Sequence, residues 1–203
     1  MTRVKICGLT RAEDVELCGG LGAAYLGFNF SARSPRRIDP GRAPDLLAAA
    51  EGCRRVGVFV DEGRDEVRRA IDAMRLDFLQ FHREVRDGDF EFGLPVIAVE
   101  RVFGGVVSVS RPLFARCHAV LFDTGHAELA GGTGDVFDWG ALSGGSGPPF
   151  GVAGGLRAEN VGDAIRAVRP LFVDVATGVE SSPGVKDPAK LRAFFEAVRR
   201  ADG

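Results

Sequence analysis

Eight short runs rich in β-branched and aromatic residues recur along this chain of 203 residues, one about every 25 residues, roughly the length of a strand, a helix and two turns. Amphipathic stretches separate them, and a strand-then-helix alternation implies parallel strands with helices packed outside. Together these observations predict an α/β fold, a single-domain (β/α)8 or TIM barrel over residues 1–203, at the short end of the size range for that architecture. An open doubly wound sheet is the alternative. It would normally carry a glycine fingerprint after the first strand, where this chain has Cys7-Gly8-Leu9-Thr10 instead.

The runs that predict strands are residues 3–7, 24–30, 55–60, 78–82, 96–99, 119–123, 150–154 and 172–176. Helical spacing follows in the gaps: Ala12, Val15 and Cys18 within 11–19, then Val67, Ala70, Ile71 and Met74 within 64–75. Residues 188–201 carry Leu191, Phe194, Phe195 and Val198 behind Pro188, a residue suited to a first helical turn. Asp138-Trp139 and Asn160-Val161 read as capped entries into two further helices. The stretch REVRDGDFEFGLP (83–95) is a poor helix, as is the segment after the sixth run, and 143–149 reads as a plain linker.

Composition excludes several classes. The chain is 45% apolar and 27% charged with a net charge of −2, which offers no basic stripe for nucleic acid or an anionic membrane. No apolar stretch approaches 18 residues and no signal-like h-region follows the start, so the expectation is a soluble, cytoplasmic protein. Cys7, Cys18, Cys53 and Cys117 never approach CxxC spacing, which argues against a zinc ribbon or dithiol motif and leaves reduced thiols.

In a parallel barrel the active site is built at the carboxyl ends of the strands. Here the first strand ends at Cys7, and the second runs into Ser34-Pro35-Arg36-Arg37. The fourth ends at Gln80 and His82, and the sixth at Asp123. The seventh ends in Gly154-Gly155, and the eighth in Thr177-Gly178-Val179-Glu180. Taken singly, each has a bland reading: a packed cysteine, a loop cap, a satisfied histidine, a solvated arginine pair. Their convergence on one rim is what those readings do not account for. The turns at Gly154, Gly155, Gly178 and Val179, ahead of a helix start, expose backbone N–H groups in the form of an anion cradle. Side chains alternate across a strand, so Lys5 shares the inward face with Cys7, and Asp174 on the neighbouring eighth strand is its expected ion-pair partner.

Five motifs occur in order between residue 3 and about residue 187. They are Lys5-Ile6-Cys7-Gly8-Leu9-Thr10, Ser34-Pro35-Arg36, and Gly131-Gly132-Thr133-Gly134 leading to Phe137-Asp138-Trp139, then Ala153-Gly154-Gly155-Leu156 with Asn160, and Val173-Asp174-Val175 followed by Gly178 through Asp187. In these the chain resembles phosphoribosylanthranilate isomerase. The resemblance implies a barrel that converts N-(5-phosphoribosyl)anthranilate to 1-(2-carboxyphenylamino)-1-deoxyribulose 5-phosphate in tryptophan biosynthesis. It implies no cofactor and no metal, a phosphorylated small molecule as the sole ligand, and a monomer or homodimer. Carried across residue by residue, Cys7 resembles the general base, Asp123 the general acid, and Arg36 the holder of the anthranilate carboxylate. His82 becomes a possible substrate contact, and Gly154, Gly155, Gly178 and Val179 the phosphate site.

The residue types suit that chemistry. Ring opening needs an acid at the furanose oxygen, and removal of the C2 proton needs a base whose pKa lies near the working pH. The Lys5 charge is expected to favour the Cys7 thiolate, against the upward push of burial. A guanidinium forks onto a carboxylate, and Arg37 competes with Arg36 for that role. The 131–134 loop reads as a lid that would shield a reactive imine. The chain departs from the family at Arg83, where glycine is usual, at Ala98, where lysine is common, and at the polar Asn29. Two rivals remain: another phosphosugar barrel enzyme, or an inactive phosphate-binding barrel, which would be expected to lose Cys7 or Asp123.

Overall fold

The computed structural model describes residues 1–102, 112–124, 139 and 148–203. Its strands are β1 (Arg3–Cys7), β2 (Tyr25–Asn29), β3 (Arg54–Phe59), β4 (Phe78–Phe81), β5 (Val96–Val102), β6 (Ala119–Thr124), β7 (Phe150–Val152) and β8 (Phe172–Val175). They close into a barrel in sequence order with every neighbouring pair parallel. Each of the eight sequence runs overlaps one strand, although β3 starts one residue before its run and β5 extends three residues beyond its own. The helices are α1 (Ala12–Leu21), α2 (Ala43–Ala49), α3 (Arg64–Met74), α4 (Val161–Val168) and α5 (Pro188–Asp202), with a short hairpin of β9 (Glu180–Ser182) and β10 (Val185–Lys186) ahead of α5. Between β4 and β5 the chain makes a 3-10 segment, Asp87–Phe92, in agreement with its poor helical pattern. None of the described helices is long and apolar enough to cross a membrane.

Alternation along the strands divides the buried apolar residues into two layers. Tyr25, Val56, Phe78, Ile97, Leu121 and Phe172 fill the barrel interior. Ile6, Leu26, Phe28, Leu79, Phe122 and Val173 face outward, in one continuous layer with Val15, Val67, Leu191 and Phe194 of the helices. The floor of the barrel is aromatic: the Tyr25 ring lies 5.5 Å from both Phe78 and Phe172, and its hydroxyl accepts from Arg3 Nη1 at 3.0 Å. An apolar floor leaves polar side chains to the upper interior, beneath the rim.

The ends of the helices follow the local chemistry. The Asp187 carboxylate accepts from the N–H groups of Ala189 and Lys190, with Pro188 in the first turn, and Leu191, Phe194, Phe195 and Val198 form the buried face of α5. Asn160 differs from its expected role. It precedes α4 without capping it; its amide instead accepts from Arg157 N at 2.8 Å and donates to Gly155 O at 3.0 Å. The side chain therefore braces the turn after β7 rather than the helix. The expected lid at 131–134, the helix entry at Asp138 and residues 143–147 lie outside the described residues.

Candidate active site

Because all eight strands run the same way, their carboxyl ends share one rim, and the candidate residues are carried there by register. Lys5 on β1 pairs across with Asp174 on β8, and Arg101 on β5 with Asp123 on β6. Cys7 ends β1 and stays partly accessible, as a free thiol. Beneath it Lys5 Nζ lies 2.8 Å from Asp174 Oδ2, with Lys5 fully buried and Asp174 only 6% exposed. This is the ion pair that strand alternation predicted.

Electrostatics around the thiol are mixed. Burial opposes the Lys5 charge, but Asp174 and the Cys7 sulfur outweigh it, so the Lys5 ammonium is held. For Cys7, burial pushes the thiol up, Lys5 pulls it down, Asp174 pushes up again and Lys186 pulls down. The balance leaves Cys7 above its ordinary value. Lys5 therefore offsets the effect of burial only in part.

The loop after β2 presents Arg36. Asn29 Oδ1 accepts from Ser31 N at 2.9 Å, Ser34 Oγ accepts from Arg36 N at 3.1 Å, and Ile38 N returns to Asn29 O at 2.8 Å. The polar Asn29 thus shapes the turn that carries the arginine. Arg36 Nε and Nη2 donate to the two Glu180 oxygens at 2.8 and 2.6 Å. One edge of its fork is therefore filled from within, and among the described residues none takes Nη1. Arg37 is exposed and lines a separate groove with Phe30, Glu62 and Arg69, which separates the two arginines.

His82, just past β4, lies with its Nε2 2.8 Å from Gln80 Nε2. Burial, with Lys5 and Arg101 adding to it, pushes its pKa down to about 4, so the ring is neutral near pH 7. It lines a cavity of about 360 Å³ with Arg83, Val99, Arg101 and Phe114. Arg83 has no left-handed backbone; its guanidinium forks onto Asp89 at 2.7 Å twice and lies 4.4 Å over the Phe81 ring. The departure from glycine is absorbed by a local ion pair. Ala98 packs in the outer apolar layer.

The glycine turns after β7 and β8 touch. Gly154 and Gly155 take φ of 84° and 64°, conformations that disfavour side chains. A Cβ on Gly178 would fall 1.9 Å from Leu156 O, so only glycine lets the two turns meet. Val179 is buried beside them.

Glu180 stands at the end of the eighth strand and Lys186 in the same Gly178–Asp187 motif, but the sequence alone assigns neither a role. Lys186, one of only three lysines, is 2% exposed and donates to Glu180 Oε1 at 2.9 Å, Cys7 O at 2.6 Å and Ala176 O at 3.3 Å. A lysine inside a β-hairpin next to a strand end, six residues from a glutamate, was the available signal. Among the described residues no group of three or more His, Cys, Asp or Glu is arranged to hold a metal ion.

A family model described as N-(5'phosphoribosyl)anthranilate (PRA) isomerase matches residues 4–197. A curated N-(5'-phosphoribosyl)anthranilate isomerase from Pseudomonas fluorescens is 41% identical over 203 residues, covering 98% of this chain and 97% of that protein. The phosphoribosyl anthranilate isomerase structure from Thermus thermophilus superposes with a TM-score of 0.83 at 36% identity, covering 98% and 99% of the two chains. A further isomerase structure, in complex with reduced 1-(o-carboxyphenylamino)-1-deoxyribulose 5-phosphate, gives 0.82 at 31% identity over 98% and 100%.

Proposed function

The chain belongs to the N-(5'-phosphoribosyl)anthranilate isomerase family, an intramolecular aldose–ketose isomerase of tryptophan biosynthesis, and we propose that Cys7 and Asp123 move the protons of that rearrangement. The substrate is a furanose bearing a phosphate at one end and an anthranilate at the other. Asp123 donates a proton to the ring oxygen as the C1–O bond breaks, leaving a Schiff base between C1 and the anthranilate nitrogen. The Cys7 thiolate then takes the C2 proton, and the C2–H electron pair becomes the C1=C2 bond of an enolamine. Return of a proton to C1 and loss of one from the C2 hydroxyl gives the ketone.

Cys7 and Asp123 stand at strand ends on one rim, which supports this reading. Cys7 ends β1 and Asp123 lies near the end of β6, three strands apart around the closed ring. Arg36 beside Cys7 supports capture of the anthranilate carboxylate through its Nη1 side. The touching turns at Gly154-Gly155 and Gly178-Val179 support capture of the phosphate by backbone N–H groups, as in other barrels at these two loops. A neutral His82 with its pKa pushed down to about 4, tethered to Gln80, is suited to hydrogen bonding with bound substrate and is a weak base for proton abstraction. Burial holds the Cys7 thiol above its ordinary value, so a rising pH favours the thiolate. The test is turnover of freshly made phosphoribosylanthranilate, followed by anthranilate fluorescence, with the wild type and with each of the two residues replaced.

A further inference from the structure

Arg36, the base and the phosphate turn come from three different segments of the chain, yet one buried carboxylate and one buried ammonium join them. Glu180 is 7% exposed and Lys186 2%. Glu180 Oε1 accepts from Arg36 Nε, Lys186 Nζ and Gly184 N, and Oε2 accepts from Arg36 Nη2. Burial alone would raise the Glu180 pKa, but Arg36 and Lys186 overcome it and hold the carboxylate ionised. The hairpin that bears Glu180 is itself fixed to the start of the barrel, by Thr10 Oγ1 to Gly184 O at 2.6 Å and Lys186 N to Asp14 Oδ2 at 3.0 Å.

We infer that Glu180 is a positioning residue for substrate specificity: by filling the Nε–Nη2 edge of Arg36 it aims the Nη1 side of the guanidinium at the ligand carboxylate. The inference rests on the proposed role of Arg36. An arginine on a surface loop would sample many rotamers, and fixing it beforehand removes that entropy from the binding step. Charge supports the same conclusion. Arg36 and Lys186 bring two positive charges and Glu180 one negative, so the cluster carries a net single positive charge beside Cys7. That complements one carboxylate. Without Glu180 the site would hold two mutually repelling cations, with Arg36 unaimed.

The test compares two probes, reduced 1-(o-carboxyphenylamino)-1-deoxyribulose 5-phosphate and inorganic phosphate, as competitive inhibitors of the wild type, Glu180→Gln and Arg36→Ala. Glu180→Gln should weaken the carboxylate-bearing analogue by at least about tenfold, the scale of a charge-assisted hydrogen bond, and leave phosphate inhibition unchanged. KM should rise more than kcat falls. Loss of both probes together, or of neither, overturns the inference. If Glu180→Gln does not fold by circular dichroism, Glu180→Asp, which keeps the charge but shortens the reach, is judged by the same split. Arg36→Ala separates the two levels. If it leaves the analogue's affinity intact, the carboxylate role of Arg36 fails and the inference with it; if Arg36→Ala loses the analogue while the Glu180 variant keeps it, only the Glu180 role fails.

Discussion

Lys5 and Asp174 face each other across the β1–β8 seam, Nζ 2.8 Å from Oδ2, directly below the thiol of Cys7. A buried ion pair of this kind is weak evidence of stability, since desolvation offsets much of its attraction. Its significance here is its position. Of the two charges, Lys5 acts on Cys7 more strongly than Asp174 does, and in the opposite sense. Lys5→Met should therefore raise the pH midpoint of Cys7 alkylation, and Asp174→Asn should lower it. Lys5→Met leaves a buried unpaired carboxylate, so the double variant is the fair comparison, and its midpoint should still rise. Mass spectrometry of the Cys7 peptide reports the label at this thiol alone. A midpoint that stays put in the folded double variant would leave the pair with a purely structural role.

His82 supplies a stability prediction with a fixed sign. Its pKa is about 4 when folded, below the ordinary histidine value of 6.5. Between those values the unfolded chain binds a proton that the native ring refuses, so stability falls as pH drops from 6.5 to about 4. Replacing His82 with Gln should remove up to about 3 kcal/mol of that acid loss. Urea unfolding at a series of pH values measures it, and parallel curves for wild type and variant would refute the assignment.

Gly178→Ala should disturb the phosphate site selectively. The added methyl would fall 1.9 Å from a backbone oxygen, Leu156 O, which cannot yield like a flexible side chain. The two turns must move apart, with a stability loss of about 1–3 kcal/mol for the forced contact. Inhibition by inorganic phosphate should weaken, the opposite pattern to that expected at Glu180. Unchanged phosphate inhibition would show that the cradle does not depend on this contact.

Much of the fold was legible because the eight strands are short, apolar and evenly spaced, while the amphipathic faces of α3 and α5 repeat at helical period. Ala43–Ala49 escaped notice because so short a helix buries only Ala43 and Leu46, too few residues to set a period. Asn160 was misjudged because a helix-capping residue and a turn-bracing one look alike in sequence; only the position of Gly155 O distinguishes them. The rim residues could be read from strand ends alone. Glu180 was among them, but its role was not legible, because its partners Arg36 and Lys186 lie 144 and 6 residues away and nothing local links them. Arg83 looked like a defect when judged as a replaced glycine, and Asp89 and Phe81 explain why it is tolerated.

If Cys7 and Asp123 are the base and acid of the isomerisation, kcat of Cys7→Ala and Asp123→Asn with phosphoribosylanthranilate shows it without intermediary. Each variant should fold as the wild type does and lose at least about 100-fold in kcat, the lower range for removal of a general acid or base. Turnover at the wild-type rate in either folded variant would contradict the assignment of that residue.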